Sequence, residues 1–168
     1  MLDAEKIISA LGMKPLPGEG GYFVESYRSE DNLPEGALPE GSGGPRSLAT
    51  AIYYLLTPDT FSAMHRLSSD ELYHFYLGDP VEMLNLHPDG AVRKVTLGAD
   101  FPGGMKLQVV VPKGVWQGSR LVYGGRFALL GTTMAPGFDP ADYEHARRED
   151  LIRSFPDAGE LISALTRE

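Results

Sequence analysis

His65 and Glu71 lie close together in "MHRLSSDELYHFYLG", Met64–Gly78, a stretch that also holds Asp70 and a second histidine, His74. An imidazole beside a carboxylate can ligate a metal ion or move a proton. A third candidate, Gln117, sits in "VVVPKGVWQGS" and carries an amide that donates and accepts at once. His65, Glu71 and Gln117 are therefore the tentative ligands for a divalent metal such as Zn, Ni, Mn or Fe. Transition-metal sites usually want two or three imidazoles plus a carboxylate, so the metal-free reading is preferred. In that reading His65 is a general base with Glu71 beside it, and Tyr73 or Tyr53 donates a proton. Gln117 holds a substrate carbonyl or hydroxyl, and Phe75, Arg66 and His74 complete the candidate substrate contacts.

These residues converge only if strands place them. Strict alternation puts His65 on one face with Phe61, Ala63 and Leu67. It puts Glu71, Tyr73 and Phe75 on one face of the next strand and His74 on the other. A carboxylate facing an apolar interior is costly unless it is paired, hydrogen-bonded or metal-bound, which makes the pairing of His65 with Glu71 informative.

The chain supplies such strands. From Leu48 onward "LATAIYYLL", "FSAMHRL", "ELYHFYLG", "VEMLNLH", "VRKVTLG", "KLQVVVP", "SRLVYGG" and "FALLGTTMAPGF" are separated by turn-forming "TPDT", "SSD", "PDGA", "ADFPGG" and "PKG". Many short strands at this spacing predict a β-sandwich or barrel, and the lack of long helical periods between them argues against parallel βαβ units. Upstream, Leu2, Ile7, Ile8 and Leu11 predict a helix capped by Asp3 and stopped at Gly12. Tyr22–Tyr27 predicts a strand, and 31–47 a long loop. Gly41–Gly44 lacks the Gly-Lys-Ser/Thr ending of a phosphate loop. Downstream, "DPADYEHARREDLIRSF" predicts a helix capped by Asp139 with Pro140 at its first position, and "DAGELISALTRE" a final short helix. The expected architecture is all-β with short helices at the N- and C-termini. It forms one domain over 1–168, with a β-core over about 20–135 and C-terminal helices over about 139–166.

Composition narrows the function. The 168 residues carry a net charge of -8 and no cysteine. Thiolate zinc sites and a cysteine nucleophile are excluded, and a polyanionic partner such as nucleic acid is disfavoured. No apolar run reaches the roughly 20 residues of a membrane helix, and the N-terminus lacks a basic signal region. A cytoplasmic protein with a small-molecule ligand is expected. For Arg28 and Arg66, surface ion pairing is the default.

The spacing of these residues resembles the cupin superfamily. His65, Leu67, Glu71 and Gly78 follow its first motif, H-x-H-x3,4-E-x6-G, with Leu67 in place of the second histidine. Pro112, Gly114 and Gln117 follow its second, P-x-G-x2-H-x3-N, with Gln117 for the histidine and Leu121 for the asparagine. Across nearly the whole length, "GGYFVESYRS", "TAIYYLL", "LHPDG", "VPKGVWQGS" and "APGFDPADYE" resemble the narrower DUF985, or cupin 5, branch. The resemblance implies a double-stranded β-helix, the cupin jelly roll, usually a homodimer and similar in shape to sugar-nucleotide epimerases. It implies much less about chemistry; the first hypothesis is a protein that binds a small polar metabolite in the barrel, such as a sugar or nucleotide-sugar, and isomerises or epimerises it. A non-catalytic binding or sensing module is the alternative, and a metal-dependent enzyme ranks third.

Overall fold

The computed structural model describes residues 2–38 and 44–167, so most of Gly41–Gly44 lies outside the described residues. Helix α1, Ala4–Leu11, is capped as expected. The Asp3 side chain accepts from Lys6 N, and Gly12 takes the left-handed conformation at φ 65°. Strands β1 (Lys14–Pro15) and β2 (Tyr22–Arg28) follow. The expected loop over 31–47 contains a small ribbon of β3 (Asn32–Leu33) and β4 (Arg46–Ser47). The main strands are β5 (Thr50–Leu56), β6 (Phe61–Leu67), β7 (Glu71–Gly78), β8 (Val81–Leu86) and β9 (Val92–Leu97). They continue with β10 (Gln108–Val111), β11 (Trp116–Leu121) and β12 (Ala128–Met134). A short β13 (Tyr143–His145) precedes helices α2 (Arg148–Ser154) and α3 (Gly159–Ala164).

The larger sheet runs β1-β2-β5-β12-β7-β10 and the smaller β13-β6-β11-β8-β9, with neighbouring strands antiparallel throughout. Their inner faces enclose a core of Tyr54, Leu56, Tyr73, Phe75, Val81, Met83, Leu121 and Leu130. The smaller sheet is buried on its outer face too. Met64, Leu84 and Leu86 pack there against Leu151, Ile162 and Leu165 of the C-terminal segment. That double burial explains why "VEMLNL" is apolar almost throughout instead of alternating. Helix α1 covers one end of the larger sheet, with Ile7 against Leu55, Phe127 and Leu129.

Two expectations need correction. The helix expected from Pro140 is a single 3-10 turn, Pro140–Asp142, although Asp139 does cap it by accepting from Ala141 N. The chain then extends, because the edge of β6 has free backbone groups that Tyr143–His145 can pair with. Helix α2 begins only after that pairing ends. The second correction concerns β6, where strict alternation fails. Between Gln117 and Ser119 the register on β6 jumps from His65 to Ser62, a β-bulge at Ala63 and Met64. Beyond the bulge the faces swap. Phe61 packs outward with Met64, and Ser62 turns inward to Glu19.

The bulge leaves no backbone group of Ala63 or Met64 unpaired. Ala63 N donates to Glu19 O, Met64 N donates to Leu165 O, and Ala146 N donates to Met64 O. His65 Nδ1 takes the remaining Ala63 carbonyl. Gly118 lies opposite. A Cβ there would stand 2.6 Å from Met64 Sδ and 3.1 Å from Ser62 O. Gly118→Ala is therefore expected to destabilise the protein by about 1–3 kcal/mol in denaturant unfolding. Gly36→Ala, at a position with nothing within 4 Å of the added Cβ, is the matched control and should not show that loss.

Candidate functional site

A cavity of about 90 Å³ opens between the two sheets. His65, Leu67, Glu71 and Tyr73 line it, as the strand parity predicts. Tyr54, Thr132, Glu19 and Tyr143 line it as well, and sequence reasoning did not single them out for the site. Tyr54 was legible in principle, since it shares the inward face of β5 with Ile52. Tyr143 was masked by the expected helix, and Glu19 by its place in a glycine-rich turn.

His65 is 1% exposed and donates Nδ1–H to the Ala63 carbonyl oxygen at 2.7 Å. A carbonyl only accepts, so the neutral ring holds its proton on Nδ1 and keeps its lone pair on Nε2. No described residue hydrogen-bonds to Nε2. The Tyr143 ring stacks on the imidazole, centroids 5.1 Å apart at 20°, while its hydroxyl shares a hydrogen bond with His145 Nδ1 at 3.2 Å. The buried ion pair of Arg46 with Asp142, at 2.8 Å, anchors the residue just before Tyr143.

Glu71 is 7% exposed, and its Oε2 accepts from Gln117 Nε2 at 2.8 Å. Burial pushes the Glu71 carboxyl above its ordinary range, and the charge of His65 opposes that shift only in part. Burial and the nearby Glu71 charge together hold the Tyr73 phenol well above its usual value, so it stays protonated. Tyr143 is raised by burial in the same way. Behind Gln117, three buried polar atoms have no partner among the described residues: Gln117 Oε1, Asn85 Oδ1 and Ser119 Oγ.

The other expected contacts fall elsewhere. Tyr53 is on the outer face of the larger sheet, edge-on to Tyr76. His74 is outside too, as parity predicts, bonded to Thr133 and Gln108. Phe75 faces inward but packs into the core. Arg66 pairs with Glu144 and lies over the Trp116 ring, while Arg28 pairs with Glu25. Both arginines thus keep their default role.

The tentative metal set does not fit a metal ion. Leu67 supplies no donor atom, and Gln117 turns its NH₂ toward the same carboxylate a cation would need. No group of three or more His, Cys, Asp or Glu side chains suited to a metal gathers among the described residues.

The raised Glu71 pKa has a consequence for stability. The native carboxyl keeps its proton to higher pH than the unfolded one, whose ordinary value is 4.5. Stability therefore falls as pH rises from that value through the native one, and stays reduced above both. Glu71→Gln removes the penalty while its amide oxygen still accepts from Gln117. Its melting temperature should exceed the parent's at pH 8, by about 2–4 °C for each kcal/mol recovered. The gain should vanish toward pH 4, as read by thermal melts across pH.

The comparisons with known proteins agree with this geometry. Residues 5–146 match the family described as Cupin superfamily (DUF985). The uncharacterized protein YML079W of Saccharomyces cerevisiae is 33% identical over 143 residues, spanning 80% of this chain and 71% of that protein. The crystal structure of protein SO0799 from Shewanella oneidensis aligns at TM-score 0.86 and 32% identity, over 99% of both chains. A hypothetical protein from Leishmania major aligns at TM-score 0.88 and 31% identity, over 99% of this chain and all of that one (100%). An oxalate decarboxylase from Bacillus subtilis aligns at TM-score 0.54 and 14% identity, over 93% of this chain and 38% of that one, a likeness of fold alone. The chain belongs to the Cupin_5 (DUF985) family of the cupin superfamily.

Proposed function

We propose that this protein binds a small polar metabolite in the barrel cavity and acts on it by proton transfer, with His65 as general base. The observation that carries the reading is the tautomer of His65. Its Nδ1–H is committed to Ala63, which leaves a lone pair on Nε2 in a ring that lines a sheltered cavity. The Tyr73 phenol, kept protonated by burial, is the proton donor. Glu71, held by Gln117, stabilises positive charge on the imidazole as it forms. Isomerisation or epimerisation at a carbon beside a carbonyl is the reaction class that a lone base and acid support.

Size and charge favour the small-metabolite part of this reading over the nucleotide-sugar part. The cavity is smaller than the roughly 150 Å³ that accommodates one benzene ring. No Lys or Arg is among its lining residues, so a diphosphate would find no cation inside it.

A panel of small hydroxycarbonyl, polyol and amine metabolites, incubated with the protein in D₂O and followed by NMR, tests the proposal. A ligand that raises the melting temperature and gains solvent deuterium is expected, with exchange at least about 100-fold slower in His65→Ala. Binding without exchange would favour a sensing module. No binding by any member would remove the proposal.

A second copy of the chain is the proposed partner. The outer face of the larger sheet leaves Tyr27, Tyr76 and Val110 between 50% and 58% exposed, and β10 ends that sheet. Sedimentation velocity at micromolar concentration should show a dimer that Val110→Lys weakens. A monomeric parent would end this reading.

A further inference from the structure

We infer that the ligand of the barrel cavity is a small organic ammonium ion, held between Glu71, Glu19 and the aromatic walls. This deepens the proposed function, because it rests on that cavity being the ligand site, and adds the chemical class.

The first support is charge. Glu19, Glu25 and Glu71 all line the cavity, and its lining includes no Lys or Arg. Glu25 is neutralised by Arg28, which grips both of its carboxylate oxygens. Arg28 spends its remaining donors on the Phe138 carbonyl. Neither Glu19 nor Glu71 forms an ion pair among the described residues. Glu19 accepts a hydrogen bond from Ser62 Oγ at 2.8 Å, and Glu71 accepts one from Gln117. Arg167 lies near Glu19, but its hydrogen bonds go to the backbone carbonyls of Gly18 and Glu19 and its guanidinium covers Phe61. Glu71 is buried and Glu19 half-buried; a carboxylate shielded from water calls for a positive partner, and the described side chains supply none beyond His65.

The second support is independent of charge. His65 is 1% exposed, lines the cavity, and has an unpartnered Nε2 that accepts in the neutral ring. A second carboxylate oxygen on Glu71 and on Glu19 also accepts. Beyond the hydroxyls of Thr132 and Tyr73 beside Glu71, these acceptors call for a ligand that brings N–H groups. An ammonium group is donor-only and meets that condition fully. A carboxylate or phosphate is acceptor-only and violates it.

The third support is the wall. Phe23, Tyr54, Tyr73, Phe138 and Tyr143 line the same cavity as the carboxylates. Aromatic faces attract cations and repel anions, most strongly where water is excluded. The volume of about 90 Å³ limits the occupant to roughly four or five heavy atoms.

Three probes of nearly one skeleton separate the classes: ethanolammonium chloride, ethylene glycol and sodium glycolate, at matched ionic strength. Calorimetry and melting shifts on the full chain at pH 7.5 should show one-to-one binding of ethanolammonium. Ethylene glycol should bind at least about tenfold more weakly, as expected when a charge-assisted hydrogen bond becomes a neutral one. Glycolate should not bind. In Glu71→Gln, ethanolammonium should fall to the affinity of the glycol, and Glu19→Gln should weaken it by a smaller factor. Equal or tighter binding of glycolate or glycol overturns the inference, as does an unchanged ethanolammonium affinity in Glu71→Gln. If all three probes fail while another metabolite of the panel binds, the charge assignment is wrong and the cavity remains a ligand site. If no compound of either set binds, both readings fall together.

Discussion

The β-bulge at Ala63 and Met64 is the constraint on which the site depends. An ordinary strand would spend the Ala63 and Met64 backbone groups on its neighbours. Here each finds a separate partner: Glu19 O, Leu165 O, Ala146 N and the His65 ring. One bulge therefore ties the N-terminal turn, the end of α3 and the segment after β13 to a single point on β6. It also creates the carbonyl that fixes the His65 tautomer. The C-terminal helices cover the outer face of the smaller sheet, and through Leu165 O they hold the backbone geometry that aims His65. Gly118 permits all of this, since only a residue without a side chain leaves room for the displaced Met64.

The second constraint is electrostatic. A carboxylate inside an apolar barrel costs stability, and the amide donor from Gln117 does not restore all that water provided. Burial pushes the Glu71 carboxyl above its ordinary range for the same reason. Gln117 belongs to the smaller sheet and Glu71 to the larger, so their hydrogen bond also joins the two sheets through the interior. The strip continues behind them in the unpartnered atoms of Gln117, Asn85 and Ser119. A polar strip of this kind is where a barrel retains water or a ligand while its remaining layers are sealed by Val81, Met83 and Leu121.

Much of this was legible in the chain. Period-two alternation located β7 and sent Glu71 and Tyr73 inward and His74 outward, because β7 is regular over those residues. Motif spacing paired Gln117 with His65, and the structure makes them direct cross-strand partners. The failures have two causes. Alternation cannot anticipate a bulge whose stability comes from distant backbone groups, so Phe61 was placed on the wrong face. Local helix signals around Asp139 and Pro140 were correct for one turn, then were overridden by the open edge of β6. That override brought Tyr143 to the site, and no local pattern announces it. Tyr53 was misplaced for a simpler reason: the two adjacent tyrosines of β5 face opposite ways, and only the register with β12 says which is inside.

The substitutions that distinguish this barrel from a metal-binding cupin motif do not make its interior apolar. Leu67 removes one ligand position and Gln117 changes another from a donor of electrons to a donor of a hydrogen bond. Glu71 and His65 stay polar, buried and in contact with the same cavity. A barrel kept only for packing would gain stability by losing Glu71, because an isosteric amide relieves the desolvation without disturbing the Gln117 contact. The stabilised form is thus one atom's exchange away, and the native chain does not take it. A stability cost carried at the centre of a cavity, beside an imidazole with a fixed tautomer, is the energetic feature that supports the proposed ligand site. The same balance underlies the proposed cationic occupant: an ammonium ion entering the cavity would supply the countercharge that the fold withholds from Glu71.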